Sequence, residues 1–492
     1  MSAQYDLTHK VLAYLDPHLG FPLLSHLSNT GLFDAKDLAK AQYELAKDTD
    51  MVEYTMQFHD QAYPGEPVPE FVVQKRGQVV ATNARLEKEV EEVLNVIEDP
   101  NVANALKQDK ALNLEWLQQN YGLTLEQIGA LYRYGYFQFS CGNYAEASSY
   151  LYHYRVLSTD TKLTASSLWG KLACDTLTGE WERALEGVKL LCEHIDSQRV
   201  NPASLANAGT GTGVTNEEIL QKRVWLLHWG LFVWFNHPSG RTKLVELFLS
   251  PAYLSTIQMS CWWLLRYLVV ALVITRRQAT RGYVLETSGS SAGGQYSSSA
   301  SKLATPAALR ELSKVIQTES YRLRPDPFVD FFRQLYVEMD FDRAQEELAK
   351  AAAAAKEDFF LQDHADAFVE NARFLVSEVY CRIHQKVDIA DLSKRLNMSK
   401  DDGEKWIVTL ICDTKTDAKI DFKEGVVRMN QPHSNVYQSV IDKTRGITFR
   451  TSALSQAMDR YAHPPVDGSA GKRARQPAKG GRGDADAAAL EA

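Results

Sequence analysis

The sequence lacks any long hydrophobic run. Its longest uninterrupted apolar stretch, residues 267–274 between Arg266 and Arg276, is far shorter than the ~20 residues that a membrane-spanning helix needs. Asp6 and Asp16 interrupt the apolar segment that a signal peptide would require near the N-terminus, and the final Leu-Glu-Ala carries no lipidation or retention signal. The sequence therefore predicts a soluble cytoplasmic or nuclear protein with no membrane partner.

Cysteine is sparse, and no pair of cysteines has CxxC spacing. Zinc and dithiol chemistry are therefore not indicated, and we expect reduced core thiols of an intracellular protein. None of the 12 histidines forms HxH or HExxH, so no metal-ligand pattern is present either. His228 and His384 lie among apolar helical residues and are expected to be core histidines. The six cysteines are Cys141, Cys174, Cys192, Cys261, Cys381 and Cys412.

Catalytic motifs are limited to two weak matches. Residues 289–293 fit the G-x-S-x-G pattern around Ser291, but a nucleophile elbow needs a buried strand before it and a helix after it. Residues 209–213 resemble a phosphate loop without its Gly-Lys-Ser/Thr ending. The sequence thus predicts no catalytic residue, cofactor, metal or small-molecule substrate. An enzyme that uses Ser291 is one rival interpretation, and deletion of residues 287–305 would abolish the activity of such an enzyme.

Charge gives no general attraction to polyanions, because the formal net charge is −8. One local exception is the stretch 472–482, which is basic and contains no acidic residue. It is either a solvated tail or a weak contact site for RNA. The hydrophobic fraction of 45% is sufficient for a core or for two or three domains.

Helical periodicity covers most of the chain. Residues 70–98 predict one long helix with an apolar residue at every seventh position, at Val72, Val79, Leu86 and Val93. This seam either packs on the rest of a helical array or forms an intermolecular coiled coil.

An internal repeat supports a helical array. Residues 141–151 align with 178–188, and each has Gly-x-aromatic-x-x-Ala followed by an apolar residue four positions later. A weaker copy starts at Phe341. Glycine permits a tight turn, the aromatic residue fills the gap between helices, and alanine permits close approach, so the repeats predict stacked helical hairpins.

Three segments have the composition of disordered chain. These are 202–216, 287–305 and the tail after 463, which are rich in small and polar residues. We expect the second loop and the tail to be dispensable for folding and for core assembly.

A winged helix is predicted at 387–430. Two short helices precede a small hairpin, and Ser399 and Asp402 have capping-box spacing for the second helix. The predicted core residues are Ile389, Leu392, Leu396, Trp406 and Leu410. The second helix is acidic, which argues against insertion into a DNA groove and favours a protein-pairing domain over a DNA reader or a partnerless terminal domain.

A partner interface is predicted at the C-terminal end of this region. Residues 426–429 are expected to form an edge strand that a neighbouring chain could extend. Two further helical segments, 434–445 and 450–461 on either side of Gly446, carry apolar stripes that follow the closed domain. The predicted interface residues are Val426, Val427, Met429, Val436, Val440, Ile441, Leu454 and Met458.

The predicted fold is mainly α. It is a right-handed helical-repeat array of tetratricopeptide or HEAT type that ends in a winged helix with a small β-hairpin and then C-terminal helices. The domain boundaries are 1–63 for an N-terminal helical segment, 70–285 for the array, 286–305 for a loop, 306–386 for the helices before the winged helix, 387–430 for the winged helix, 434–462 for the C-terminal helices, and 463–492 for the tail.

This order of elements resembles the PCI-domain family. Several blocks further resemble its branch formed by the E subunit of eukaryotic translation initiation factor 3. They include YDLTHKVLAYLDPHLGFPLLSHL (5–27), LYRYGYFQFSCGNYAEASSYLYHYRVL (131–157), FVENARFLVSEVYCRIHQ (368–385) and MSKDDGEKWIVTLI (398–411).

The resemblance implies a non-catalytic scaffold subunit of the initiation factor 3 complex. Its partners would be other subunits, through PCI–PCI contacts and a bundle of C-terminal helices, and the 40S ribosomal subunit. Through the complex it would support mRNA recruitment and translation initiation, and contact mRNA or rRNA. The alternative is a PCI scaffold of the proteasome lid or the COP9 signalosome, which shares the fold and differs in its cargo.

Overall fold

A computed structural model describes residues 2–97, 116, 118–158, 160–198, 215–287, 306–319, 325–396, 399–414, 417–421, 424–430 and 436–462. The loops predicted at 202–216 and 287–305, the tail after 463, and the patterns at 209–213 and Ser291 lie outside these residues, apart from the borders Thr215, Asn216 and Thr287. The chain divides into two compact units, Met1–Asn430 and Gln431–Ala492.

Helices make up nearly all of the first unit. The N-terminal helices are α1 (Thr8–Leu12), α2 (Pro17–Thr30), α3 (Ala35–Lys47), α4 (Val52–Ala62) and α5 (Glu70–Ile97). The array continues with α6 (Leu125–Cys141), α7 (Tyr144–Leu157), α8 (Thr161–Thr178), α9 (Trp181–Ser197), α10 (Asn216–Asn236), α11 (Gly240–Phe248), α12 (Pro251–Ser260) and α13 (Leu265–Thr287). The helices before the winged helix are α14 (Pro306–Thr318), α15 (Pro327–Arg333), α16 (Phe341–Glu357) and α17 (Ala365–Ile383).

The winged helix follows as β1 (Lys386–Asp388), α18 (Ile389–Arg395), α19 (Lys400–Thr414), β2 (Ala418–Asp421) and β3 (Val426–Met429). The second unit contains α20 (Val436–Ala462). The predicted mainly α fold, with one small sheet near the C-terminus, is confirmed. A continuous apolar core runs through the first unit from Leu7 to Met429.

The sequence repeat coincides with helical hairpins. The aromatic residues Tyr144, Trp181 and Phe341 are the first residues of α7, α9 and α16. The alanines three positions later, Ala147, Ala184 and Ala344, are all fully buried. Small side chains at these points let neighbouring helices approach closely, as the pattern predicted.

The turns before these helices use left-handed backbone. Gly142 and Gly179 have φ values of 93° and 79°, a conformation that glycine adopts without strain. In the third copy the equivalent residue is Met339, with φ of 57°. A π-helical turn, Gln334–Glu338, directly precedes it and adds one residue. The degenerate third copy therefore keeps the geometry of the turn while storing strain at Met339.

The long helix α5 packs within the chain. Leu86, Val90 and Val93 on its seam form one cluster with Ile128 and Leu131 of α6. The seam therefore serves the array, and the alternative of an intermolecular coiled coil is not needed to bury it.

Arg266 joins four segments of the chain in the core. Its guanidinium donates to Asp326 at 2.9 Å and to Asp358 at 3.2 Å. It also donates to the carbonyl oxygen of Tyr5 at 2.8 Å. Although burial alone would lower it, the two carboxylates raise the pKa of Arg266. The ion cluster fixes the N-terminal segment against α13, α15 and the end of α16.

The two histidines expected in the core, His228 and His384, differ in burial. His228 is fully buried, and its Nδ1 contacts the carbonyl oxygen of Val224 at 2.7 Å. Its Nε2 accepts from Trp263 Nε1 at 3.1 Å. His384 is exposed, so the expectation for it was wrong. It follows the last turn of α17 and packs on the ring of Tyr380 instead.

In the part of the chain that the structure describes, no single helix is long and apolar enough to cross a membrane. One pair, Pro251–Ser260 with Trp262–Arg276, reaches that length and composition together but is bent by 118°.

Candidate protein-interaction surface

The winged-helix sheet has three strands in the order β1-β3-β2. Both neighbours of β3 are antiparallel to it. The expectation that residues 426–429 form an edge strand is therefore wrong. The strand β1, which the sequence did not predict, covers that edge, and a strand added by a neighbouring chain would have to pair with β1 or β2.

The three interface residues predicted on β3 are interior. Val426, Val427 and Met429 have exposed fractions of 7%, 1% and 7%. Val427 and Met429 belong to the main core. Because alternate residues of a strand face opposite sides, Val427 and Met429 share the face that packs on the helices. These residues stabilise the winged helix and are not available to a partner.

The predicted core residues of the winged helix lie together under the sheet. Ile389, Leu392, Leu396 and Leu410 are buried, as is Ile407, which the sequence pattern did not indicate. The helices α18 and α19 meet at Gly403, where an added Cβ atom would lie 1.8 Å from the Oγ of Ser393. Glycine is therefore required for this crossing.

The start of α19 has the predicted cap. Asp402 donates its backbone N–H to the Oγ of Ser399 at 3.2 Å, and that hydroxyl donates to the Asp402 carboxylate at 2.7 Å.

Trp406 and Arg395 dock the winged helix on the helices α16 and α17 that precede it. Trp406 is only half-buried, and its Nε1 donates to the Oγ of Ser377 on α17 at 3.1 Å. Arg395 donates to Asp342 of α16 at 2.6 Å and lies over the ring of Tyr380. Trp406 is thus a docking residue at the junction rather than the centre of the small core.

The C-terminal region is one helix, not two. The helix α20 runs from Val436 to Ala462 and passes through Gly446 without interruption. A single glycine inside a helix costs only about 1 kcal/mol relative to alanine, which does not end a helix of this length. The prediction of separate helices at 434–445 and 450–461 was wrong.

An apolar seam is exposed along α20. Val440, Ile441, Leu454 and Met458 of the predicted interface are 54%, 44%, 61% and 64% exposed, and Ile447 is 64% exposed. Nothing is described of the side chain of Val436. We define the α20 seam as Val440, Thr444, Ile447, Thr451, Leu454 and Met458. Its steps alternate between three and four residues, which is the spacing of helices that pack in coiled coils and bundles.

The two threonines of the seam are compatible with burial against a partner. Thr444 Oγ1 donates to the carbonyl oxygen of Val440 at 2.8 Å, and Thr451 Oγ1 donates to that of Ile447 at 3.0 Å. Because the hydroxyl donors are already used within the helix, covering these residues would leave no unpaired donor.

The described cysteines other than Cys412 are buried or partly buried. Burial raises the pKa of Cys141, Cys192 and Cys381 to about 11, so these thiols are protonated and weakly nucleophilic near neutral pH. Cys412 is exposed on α19. Over the residues that the structure covers, no group of three or more His, Cys, Asp or Glu side chains is arranged to hold a metal ion.

Comparisons with known proteins cover both units. The family model described as eIF3 subunit 6 N terminal domain matches residues 6–138. The PCI domain model matches residues 348–431. The model for the C-terminal part of the E subunit of eukaryotic translation initiation factor 3 matches residues 435–455.

Three fungal relatives are named as E subunits of eukaryotic translation initiation factor 3. The protein from Mycosarcoma maydis is 57% identical over 94% of this chain and 88% of its own length. Those from Emericella nidulans and Aspergillus clavatus are 44% and 43% identical, over 92% of this chain and 93% and 92% of their own lengths. At this identity and coverage, and with the PCI fold described above, the chain belongs to the family of E subunits of eukaryotic translation initiation factor 3.

Proposed function

We propose that this chain is a scaffold subunit of initiation factor 3 without catalytic activity of its own, and that the α20 seam is the surface through which it joins the other subunits. The observation that carries the proposal is the exposed seam with coiled-coil spacing on a helix of 27 residues. A soluble protein rarely leaves such a stripe uncovered.

The energetics favour a helical partner. Fully burying a valine, leucine or isoleucine side chain stabilises a complex by about 1.5–3 kcal/mol. Val440, Ile447 and Leu454 recur every seven residues, so one partner helix could cover all three at once. This spacing of apolar residues does not stabilise an isolated helix. We therefore assign the spacing to contact with a partner helix in the assembly.

The wider role follows from family membership. We infer that the chain acts in the cytoplasm with the other subunits, on the 40S ribosomal subunit, and that contact with mRNA or rRNA arises through the complex. The alternative of a proteasome-lid or COP9 scaffold has less support, because the N-terminal and C-terminal family models and the relatives all bear initiation-factor names.

The test replaces two seam residues by aspartate. Ile447→Asp with Leu454→Asp would place carboxylates in the assembled interface, where an unpaired charge is strongly unfavourable. We expect loss of co-purification with other initiation factor 3 subunits and a lower amount of bound 40S subunit. The matched control is Gln438→Asp with Gln456→Asp, which puts the same charges at helical positions opposite the seam on the same helix and should assemble normally.

Circular dichroism must show equal helix content in both variants, because aspartate lowers helix propensity in each. If the folded seam variant assembles normally, the interface lies elsewhere and the proposed role of the α20 seam is wrong.

A further inference from the structure

The outer face of the winged-helix sheet carries three cationic side chains in one row. Lys386 of β1 is in register with Arg428 of β3, and Lys419 of β2 is in register with the same Arg428. All three residues are exposed. The central Arg428 therefore has a like charge directly opposite it on both sides.

The ladder fixes the spacing of this row. Met429 N donates to the oxygen of Gln385, and Asn430 N donates to the oxygen of Asp417. Hydrogen-bonded and non-hydrogen-bonded residue pairs alternate along an antiparallel ladder. Counting from these two bonds, Lys386 and Arg428 form a non-hydrogen-bonded pair, with a typical Cα separation of about 4.5 Å. Lys419 and Arg428 form a hydrogen-bonded pair, with a typical separation of about 5.5 Å. The three charges thus span roughly 10 Å, and like charges that lie directly opposite each other destabilise a sheet.

Nearby carboxylates offset this row only in part. Asp388 and Asp421 lie two residues along β1 and β2, at one end of the face. Asp417 lies two residues before Lys419 at the other end, where its carboxylate accepts from the side-chain amide of Asn430 at 3.3 Å. The Asp388 carboxylate accepts from the N–H of Ala390, at the start of α18. Glu424 approaches Arg428 at 3.4 Å, but both side chains are more than half exposed, and such surface pairs contribute little.

We propose that the row of Lys386, Arg428 and Lys419 binds the phosphate backbone of RNA directly. The phosphates along an RNA strand can pair with closely spaced cations on a flat protein surface, and this contact requires no apolar pocket. A protein partner would normally need an accessible aromatic or aliphatic anchor between the charges. The next residues along this face are Asp388, Val426 and Asp421, and Val426 is only 7% exposed. The inference goes beyond assembly through α20, and its test leaves the α20 seam unchanged.

The salt dependence of binding measures the number of phosphate contacts. For single strands, log K falls with log salt with a slope of about −0.7 for each contact. Replacing all three cations by glutamine should therefore make the slope shallower by about 2 and weaken binding roughly 100-fold near 0.1 M salt, by the same relation. Each single replacement should account for about a third of the change in slope.

The experiment uses the full chain and a labelled oligouridylate of about 20 nucleotides, long enough to cover a single-strand site. The variant Lys386→Gln, Lys419→Gln, Arg428→Gln is compared with Lys314→Gln, Lys394→Gln, Lys405→Gln. The control removes the same charge from α14, α18 and α19 and should keep most of the wild-type slope. The basic stretch at 472–482 is present in every variant, so it cancels in the comparison. Equal slopes for the two triple variants would overturn the proposal.

Two further measurements separate the alternatives. Glu424→Gln removes the carboxylate that competes for Arg428 and should tighten RNA binding a few-fold. Polyglutamate serves as the protein-like polyanion, and binding of it through the same three residues as tightly as RNA at equal salt would overturn the assignment to RNA. The sheet variant is expected to melt no earlier than the wild type, because it removes like-charge repulsion, and this guards against loss of folding as the cause.

Discussion

At the scale of single residues, the burial of His228 in the core of the array makes the stability of the folded chain depend on pH. It is fully buried between Val224 and Trp263, and Tyr14 stacks on its ring. Burial lowers the pKa of His228 to about 4, well below the ordinary value of about 6.5. The hydrogen bond from Trp263 to Nε2 also requires the neutral ring.

The direction of this pKa shift predicts a loss of stability on acidification. Above pH 6.5 the histidine is neutral in both the folded and the unfolded chain. Between about pH 6.5 and 4 only the unfolded chain takes up the proton, so acidification lowers the free energy of unfolding by about 1.4 kcal/mol per pH unit. From pH 7 to pH 5 we expect a loss of about 2 kcal/mol from His228 alone.

Thermal melts at the two pH values test this contribution. In His228→Gln, the decrease in melting temperature between pH 7 and pH 5 should be smaller than in the wild type, whatever the change in stability at pH 7. The control His384→Gln should keep the wild-type decrease, because His384 is exposed. An unchanged decrease in His228→Gln would show that His228 does not control the acid response.

Individual residues also show the limit of periodicity. Ile389, Leu392 and Leu410 could be placed in the core from helical spacing alone, and all three are buried. Trp406 belongs to the same stripe, yet its Nε1 donates to Ser377 of α17, outside the winged helix. A helix that packs on two neighbours has a wide apolar face, and spacing does not say which part meets which neighbour.

At the scale of elements, the hairpin turns explain why the repeat could be recognised. Gly142 and Gly179 occupy left-handed positions, and aromatic and alanine residues follow at fixed distances. The third copy lacks the glycine, so its sequence signal is weak although the backbone at Met339 has the same sign of φ.

A pair of substitutions tests this equivalence. Met339→Gly should raise the free energy of unfolding by about 1 kcal/mol, because a non-glycine residue in left-handed backbone costs about 1–2 kcal/mol. Gly179→Ala should lower it by a similar amount, since a Cβ there meets no atom within 4 Å and only the φ of 79° is unfavourable. Urea unfolding midpoints of the two variants should move in opposite directions. A decrease for Met339→Gly would mean that the side chain of Met339 contributes more than its strain costs.

The strand order of the sheet could not be predicted from the sequence, because β1 has only three residues, Lys386–Asp388. Alternation over three residues is too short to distinguish a strand from a loop. Without β1, the prediction placed β3 at the edge and assigned its apolar residues to a partner. The continuity of α20 was missed for a related reason, since Thr444 and Thr451 are polar and Ile447 fell in the assumed break.

At the scale of the whole molecule, the two units have different kinds of apolar surface. The first unit buries its apolar residues in one continuous core, and its N-terminal segment is tied in by Arg266. In the second unit, the described apolar side chains of α20 from Tyr437 to Met458 are exposed. The exposed apolar side chains of α20 are the observation on which the proposed assembly through this helix rests.

Reactivity of cysteines placed on α20, in the free chain and in the assembled complex, tests the proposed interface. Cys412 is exposed, so it is first replaced by serine, and single cysteines are then introduced as Ile447→Cys, Leu454→Cys and Gln456→Cys. In the free chain all three should react rapidly with a maleimide. In assembled initiation factor 3, we predict that the cysteines at 447 and 454 are protected while the one at 456 stays reactive. Equal reactivity of the cysteines at 447 and 454 in the free and assembled states would contradict the account.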